Sequence, residues 1–292
     1  MTQNSGGISM SKICIVADSS TGISQSLAKK LNITLAPLSI IIDGKEYQDQ
    51  VEMSAEQLIE QLNNKAVPTT AQPNLGLLDK MMEELKAQDF DHILVFSLTS
   101  HLSGTYQAFV LAANNHDITN IDVVDTKTLG GPVKDIVIKA ATMVQEGAQV
   151  QDILDMANSV TSMTLSFLYP NTLDQLKRGG RVSPAVAALS SLLKIKPLLI
   201  LENGGTTIEK FATARIETKI FDTMIQQIVE NSTTNNFKVH VLHCDGVEIA
   251  ENFAKALKQR IENIEIEIAE LPAVLAAHAG IKSIAVQTSL VL

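Results

Sequence analysis

The 292-residue chain carries 23 Lys and Arg against 32 Asp and Glu, a formal net charge of -9, which excludes the basic face that nucleic acid or an anionic lipid surface demands. Hydrophobic residues make up 45% of it, enough to fill the cores of two domains. No run reaches the roughly 20 apolar residues of a membrane-spanning helix; the most apolar stretch, Leu189 to Leu201, is broken by Lys194, Lys196 and Pro197.

Residues 1–11 are polar and glycine-containing and are expected to form a disordered extension, with neither the basic start nor the apolar middle of a signal peptide. Ile13 to Ala17 reads as a strand, with Cys14 inside it. Asp18-Ser19-Ser20-Thr21 closes it ahead of a helix near Ser24, so these side chains either cap helix amides or line a crevice at the strand end. Ile33 to Ile42 reads as a second strand. Ser54-Ala55-Glu56-Gln57 has the form of a capping box opening a helix to Leu62, and Leu75 to Leu85 shows apolar residues at helical spacing. Strands at Ile93 to Phe96 and Ile121 to Val124 follow, then a helical region from Val133 to about Met163. This alternation predicts an N-terminal α/β domain over 12–164, a three-layer arrangement with a mostly parallel sheet and helices on both faces.

From there the pattern changes. Leu165 to Leu168, Pro197 to Leu201, Thr207 to Ala212, Val239 to His243, Ile264 to Ala269 and Ile284 to Leu290 read as strands, with Asn203-Gly204-Gly205 placed as a tight hairpin between two of them. Antiparallel pairing and fewer helices predict a C-terminal two-layer α/β domain with a mixed sheet over 165–292. Cys244 lies beside one of these strands, far from Cys14, and both look like buried free thiols. The protein is therefore expected in the cytoplasm.

Ligands of open α/β sheets bind beyond the carboxyl ends of the strands. There, Ser100-His101-Leu102-Ser103-Gly104-Thr105-Tyr106 follows the run His92 to Phe96, and Pro68-Thr69-Thr70-Ala71-Gln72-Pro73 precedes the helix at Leu75. Gly104 permits close backbone approach and a helix opening near Thr105 offers amides to an anion. With the hydroxyls of Thr70 and Ser103, this describes a seat for a carboxylate or phosphate; simple helix capping is the alternative.

Arg181, after Gly179-Gly180, could supply a forked donor to such an anion. His278, among small apolar residues, is either structural or free to face a site and titrate. His243-Cys244-Asp245 imitates a nucleophilic set, but neighbours on one strand point to opposite faces. The glycines of Asp125-Thr126-Lys127-Thr128-Leu129-Gly130-Gly131-Pro132 lack the spacing of a nucleotide-binding loop, and no metal-site spacing appears. Ser103 lacks the Gly-x-Ser-x-Gly context of a hydrolase. No cofactor is expected.

In order along the chain, Asp18-Ser19-Ser20, Thr70-Ala71-Gln72-Pro73, Leu102-Ser103-Gly104-Thr105-Tyr106, Asp125-Thr126-Lys127, Gly179-Gly180-Arg181-Val182-Ser183, Lys194-Ile195-Lys196-Pro197-Leu198-Leu199 and His278-Ala279-Gly280 together resemble the DegV family, the fatty-acid-binding proteins of bacterial fatty acid kinase systems. The likeness runs from about residue 12 to the C-terminus. It implies a protein that encloses one long-chain fatty acid between two domains and is not itself a catalyst. A separate ATP-dependent fatty acid kinase would phosphorylate the bound carboxylate to an acyl phosphate for phospholipid synthesis. By motif position the resemblance assigns the carboxylate contacts to Thr70, Ser103 and the backbone of Gly104, and sets Arg181 and His278 beside the head group or at the kinase encounter. Two departures stand out: Ala71 replaces a serine usual in the family, and Ile281-Lys282-Ser283 follows the late histidine where a glycine-containing step is common. The alternative is a small-molecule enzyme, an esterase using Ser103 or a polyol-kinase-like subunit.

Overall fold

The computed structural model describes residues 11–191, 194–202, 207–232 and 236–292. β1 (Ile13–Asp18) passes through a short turn to α1 (Gln25–Leu31) and β2 (Ile33–Ala36). The hairpin β3 (Ser39–Ile42) and β4 (Lys45–Gln48) leads to α2 (Ala55–Asn63) and the short β5 (Thr69–Ala71). α3 (Leu75–Ala87), β6 (His92–Ser97), α4 (Thr105–Asn115), β7 (Ile121–Asp125), α5 (Gly131–Gln145) and α6 (Val150–Met163) complete the first half. The second half runs β8 (Ser166–Tyr169), α7 (Asp174–Gly179), α8 (Pro184–Ala188), β9 (Lys196–Leu201), β10 (Ile208–Ala214), α9 (Glu217–Ser232), β11 (Phe237–Cys244), α10 (Val247–Lys258), β12 (Glu265–Glu270), α11 (Ala273–Ala279) and β13 (Ser283–Leu290).

The first sheet is parallel throughout, in the order β2-β1-β6-β7. Every residue of β1 is buried, as a strand covered on both faces must be. Ile13, Ile15, Leu94 and Phe96 pack on one face with Val133, Ile136 and Val137 of α5 and Ile153 of α6. Cys14, Val16, Ile93 and Val95 pack on the other with Leu78 and Met82 of α3 and Phe109 of α4. The expected α/β/α layering is therefore present.

The second sheet is mixed, in the order β10-β9-β8-β13-β11-β12, with β11 and β12 its parallel pair. One face carries Phe167, Leu198, Val239, Val241 and Val286 against α9 and α10. Its opposite face turns toward the first half and also meets helices of its own half: Leu199 shares a buried cluster with Leu176 of α7 and Val186 of α8, and Leu242 with Val274 and Ala276 of α11. The result is an α/β fold of two domains.

Three expectations change. Ile33 to Ile42 is two strands in different sheets, divided at Pro37, which has no amide hydrogen to offer a ladder. The second half is richer in helix than expected, since α9 and α10 supply its outer layer. A small antiparallel sheet, β4-β3-β5, was not foreseen. Its tight turn is Asp43-Gly44, both at positive φ, the signature of a hairpin turn that matches strand twist. The hairpin placed at Asn203-Gly204-Gly205 and most of the N-terminal extension lie outside the described residues, although β9 and β10 do pair antiparallel. Ser54 and Gln57 do form the capping box of α2.

Candidate functional site

The inner face of the second sheet forms one wall of a cavity, within an envelope of about 910 Å³ that includes open solvent at its mouth. Leu168, Leu201, Ile208 and Ala285 project from the strands. Leu38, Leu98, Leu102 and Leu129 come from segments that follow β2, β6 and β7, so the cavity sits beyond the carboxyl ends of the parallel strands, where open α/β sheets place ligands. Leu271, Val274 and Leu275 close a third side. An aliphatic lining of this kind receives an alkyl chain and excludes ions and water.

The polar side chains of the wall gather mostly at one end. β5 pairs with β3 so that Thr70 lies opposite Ile40, and Thr70 Oγ1 shares a 2.7 Å hydrogen bond with His278 Nε2 in the last turn of α11. The other edge of the imidazole rests on Gly179, where a Cβ would lie 2.5 Å from His278 Nδ1. Arg181 donates through Nη1 to the Gly179 carbonyl and through Nε to the Leu102 carbonyl at 3.2 Å. Its guanidinium plane is thereby fixed, with further N–H donors beyond these two.

Ser103 follows directly. Its Oγ lies 2.8 Å from Thr105 Oγ1 and accepts from the Thr105 amide at 3.3 Å, a local turn just ahead of α4. The loop beneath it is clamped by Asp125, which accepts from Ser100 Oγ at 2.6 Å and from the Ser100 amide at 3.1 Å.

Thr70, Ser103, Arg181 and His278 thus meet on one cavity wall. Gly104 stands just behind it, covered by Gln72, whose Oε1 would be 2.4 Å from a Cβ at that position. Gln72 itself lines the cavity and was not singled out from the sequence; its place in the Thr-Ala-Gln-Pro motif was the available signal. Asp18-Ser19-Ser20 takes its capping role. Asp18 accepts from the Ser20 amide at 2.9 Å and the Leu98 amide at 2.7 Å, and Ser19 Oγ donates to buried Asp49 at 2.6 Å. Cys244 is a buried free thiol pushed up to about 12 by burial and then by Asp245 and Glu270, unsuited to nucleophilic work. Among the described residues no group of His, Cys, Asp and Glu is placed to hold a metal ion, and no helix is long and apolar enough to cross a membrane.

Burial, and then the charge of Arg181, hold His278 down at about 4. The imidazole is therefore neutral at pH 7 and offers a hydrogen bond rather than a charge. In the unfolded chain it takes up a proton near 6.5, the native state only near 4, so this residue withdraws stability as pH falls through that interval. We expect its ring C–H resonances to titrate with a midpoint near 4 in the ligand-free protein. A midpoint near 6.5 would contradict the buried setting.

A greasy chamber between two α/β layers, with hydroxyls, an imidazole and a guanidinium gathered together, gives this two-domain protein a cavity of amphipathic lining. Residues 12–290 match the family profile described as uncharacterised protein, DegV family; the chain belongs to the DegV family. It is 31% identical over 277 residues to a DegV domain-containing protein of Halalkalibacterium halodurans, covering 94% of this chain and 97% of that one. Among solved structures it is similar to the fatty acid binding DegV family protein of Streptococcus agalactiae, with TM-score 0.87 and 25% identity over 97% of this chain and 100% of that one. A second similar structure, of fatty acid binding by a DegV family protein from Thermus thermophilus, gives TM-score 0.84 and 26% identity over 96% of this chain and 100% of that one.

Proposed function

We propose that this protein binds one long-chain fatty acid in the cavity between residues 12–164 and 165–292, and presents its carboxylate to a separate ATP-dependent fatty acid kinase. The observation that carries the reading is the pairing of an aliphatic-lined chamber with the Thr70, Ser103, Arg181 and His278 cluster. Each methylene taken from water contributes about 0.8 kcal/mol, so the tail supplies the affinity. The head-group seat then needs only to orient the acid.

Thr70 and Ser103 donate hydroxyls to the carboxylate, Gly104 contributes backbone, and Arg181 stands beside it to meet the incoming phosphoryl group. A carboxylate close to Arg181 would offset the charge that depresses His278 and raise its affinity for a proton on loading. The acyl phosphate formed by the kinase would leave for phospholipid synthesis in the cytoplasm. The chain itself is not a catalyst in this scheme: an esterase needs a base within reach of Ser103, and the nearby imidazole is engaged by Thr70.

Native mass spectrometry of the protein as purified should reveal an added fatty acid mass, and mixing with kinase and ATP should convert it to the acyl phosphate. Isolation as clean apoprotein with no saturable uptake of long-chain acids would refute the reading.

A further inference from the structure

The cavity has a second polar patch, further along β13 from the α11 end that carries His278. β13 starts at Ser283 beside the end of α11, and Gln287 stands four residues further on, about 13 Å at the rise of a strand. Gln287 lies opposite Ser166 of β8, and both line the cavity. The amide is fully engaged: Nε2 donates to the Leu129 carbonyl at 2.9 Å and to Ser166 Oγ at 3.0 Å, and Oε1 accepts from the Gly131 amide at 3.1 Å. Thr128 Oγ1, 3.3 Å from Ser166 Oγ, extends the circuit. Gln287 is 2% exposed and Ser166 7%.

We propose that this closed circuit is the floor of the tunnel, and that the terminal methyl of the bound acid stops against it, so that Gln287 and Ser166 set the longest chain the protein accommodates. The inference rests on the reading of the cavity as a fatty acid tunnel. An amide with every donor and acceptor met offers nothing to a polar ligand. It also resists displacement, because moving Gln287 would strand the half-buried Leu129 carbonyl and the buried Gly131 amide without this partner. The floor is stiff as well, since Gly131 opens α5 and is held by the same side chain. Above it the wall is aliphatic, and Ala285 lies one pleat, about 7 Å, nearer the head group.

The test is a series of dissociation constants for saturated fatty acids of roughly ten to twenty carbons, tightening by about fourfold per methylene while the tail is still entering the tunnel. For the unaltered protein the tightening should cease at one chain length. Ser166→Leu should move that break to shorter chains and Ala285→Leu should move it further in the same direction. Leu201→Ala, which opens space beside Ser166, should move it to longer chains and serves if either bulky variant does not fold. A break that stays put in Ser166→Leu and in Leu201→Ala, with acids still bound, overturns the floor while leaving fatty acid binding intact. Failure of the unaltered protein to bind any acid overturns both.

Discussion

Asp135→Ala is expected to lower the unfolding free energy by about 3–5 kcal/mol, because it strips a partner from a buried charge cluster. Asp135 on α5 meets His240 Nε2 at 2.7 Å and Lys238 Nζ at 2.6 Å on β11, and His240 Nδ1 lies 3.2 Å from Glu267 Oε2 on β12. His240 is wholly buried. Although burial alone would lower its proton affinity, the hydrogen bond to Asp135 and the neighbouring Glu267 carboxylate raise it above 6.5. For Asp135 burial alone would raise the pKa, but the hydrogen bond and charge of His240, then Lys238, bring it below 3.8. The His240 contribution is thus complete below about 6.5 and lost as pH climbs through the raised value; the Asp135 contribution is complete above about 3.8 and lost on acidification through the lowered one. Urea titration near pH 5.5 should show the largest deficit in the variant. Asp79→Ala serves as contrast, since the pair of Asp79 with His116 is at the surface and worth less than about 1 kcal/mol. Equal losses in the two variants would mean that the buried cluster adds nothing.

Gly179→Ala should strike the Thr70 and His278 end of the cavity. The added methyl would sit 2.5 Å from His278 Nδ1, and the ring, pinned on its far side by Thr70, has to swing away. Overpacking of this kind costs about 1–3 kcal/mol. Loss of the Thr70 contact should weaken retention of a bound carboxylate by up to about tenfold, the worth of one hydrogen bond. Two readouts separate the effects: a thermal melt for stability, and dissociation of a fluorescent fatty acid for the seat. At the next position, Gly180→Ala meets open space but sits at φ 68°, so it strains the backbone without touching the imidazole. Should both alanines release the acid equally fast, the imidazole is not part of the grip.

The parts of this architecture legible in the sequence were those written locally. The parallel sheet announces itself through uninterrupted Val and Ile runs, and α2 through its capping box, because the signal and the structure occupy the same few residues. β5 has three residues and no period to detect, so Thr70 read as a loop residue ahead of a helix. Pro37 carried enough information to split the second strand, and Asp43-Gly44 enough to announce a hairpin. Both were available to a closer reading.

The meeting of Thr70 with His278 is of another kind. The residues are 208 positions apart, and only the ordered motifs of a known family hinted that they share a place. Asp135 and His240, 105 positions apart, belong to no such motif. His243-Cys244 drew attention instead, though β11 turns its pleat so that His240 is the histidine caught between carboxylates.

α5 packs its apolar face on the first sheet, anchors its opening turn to Gln287 of the second, and drives Asp135 between Lys238 and His240. Leu38, Ile40, Leu58, Leu242, Val274 and Ala276 fill one shared interior drawn from both parts of the chain. Neither part, severed from the other, would keep a finished surface, so a thermal melt is expected to show one transition for both. The walls of the chamber at their seam are drawn from both parts and are set when the whole chain folds.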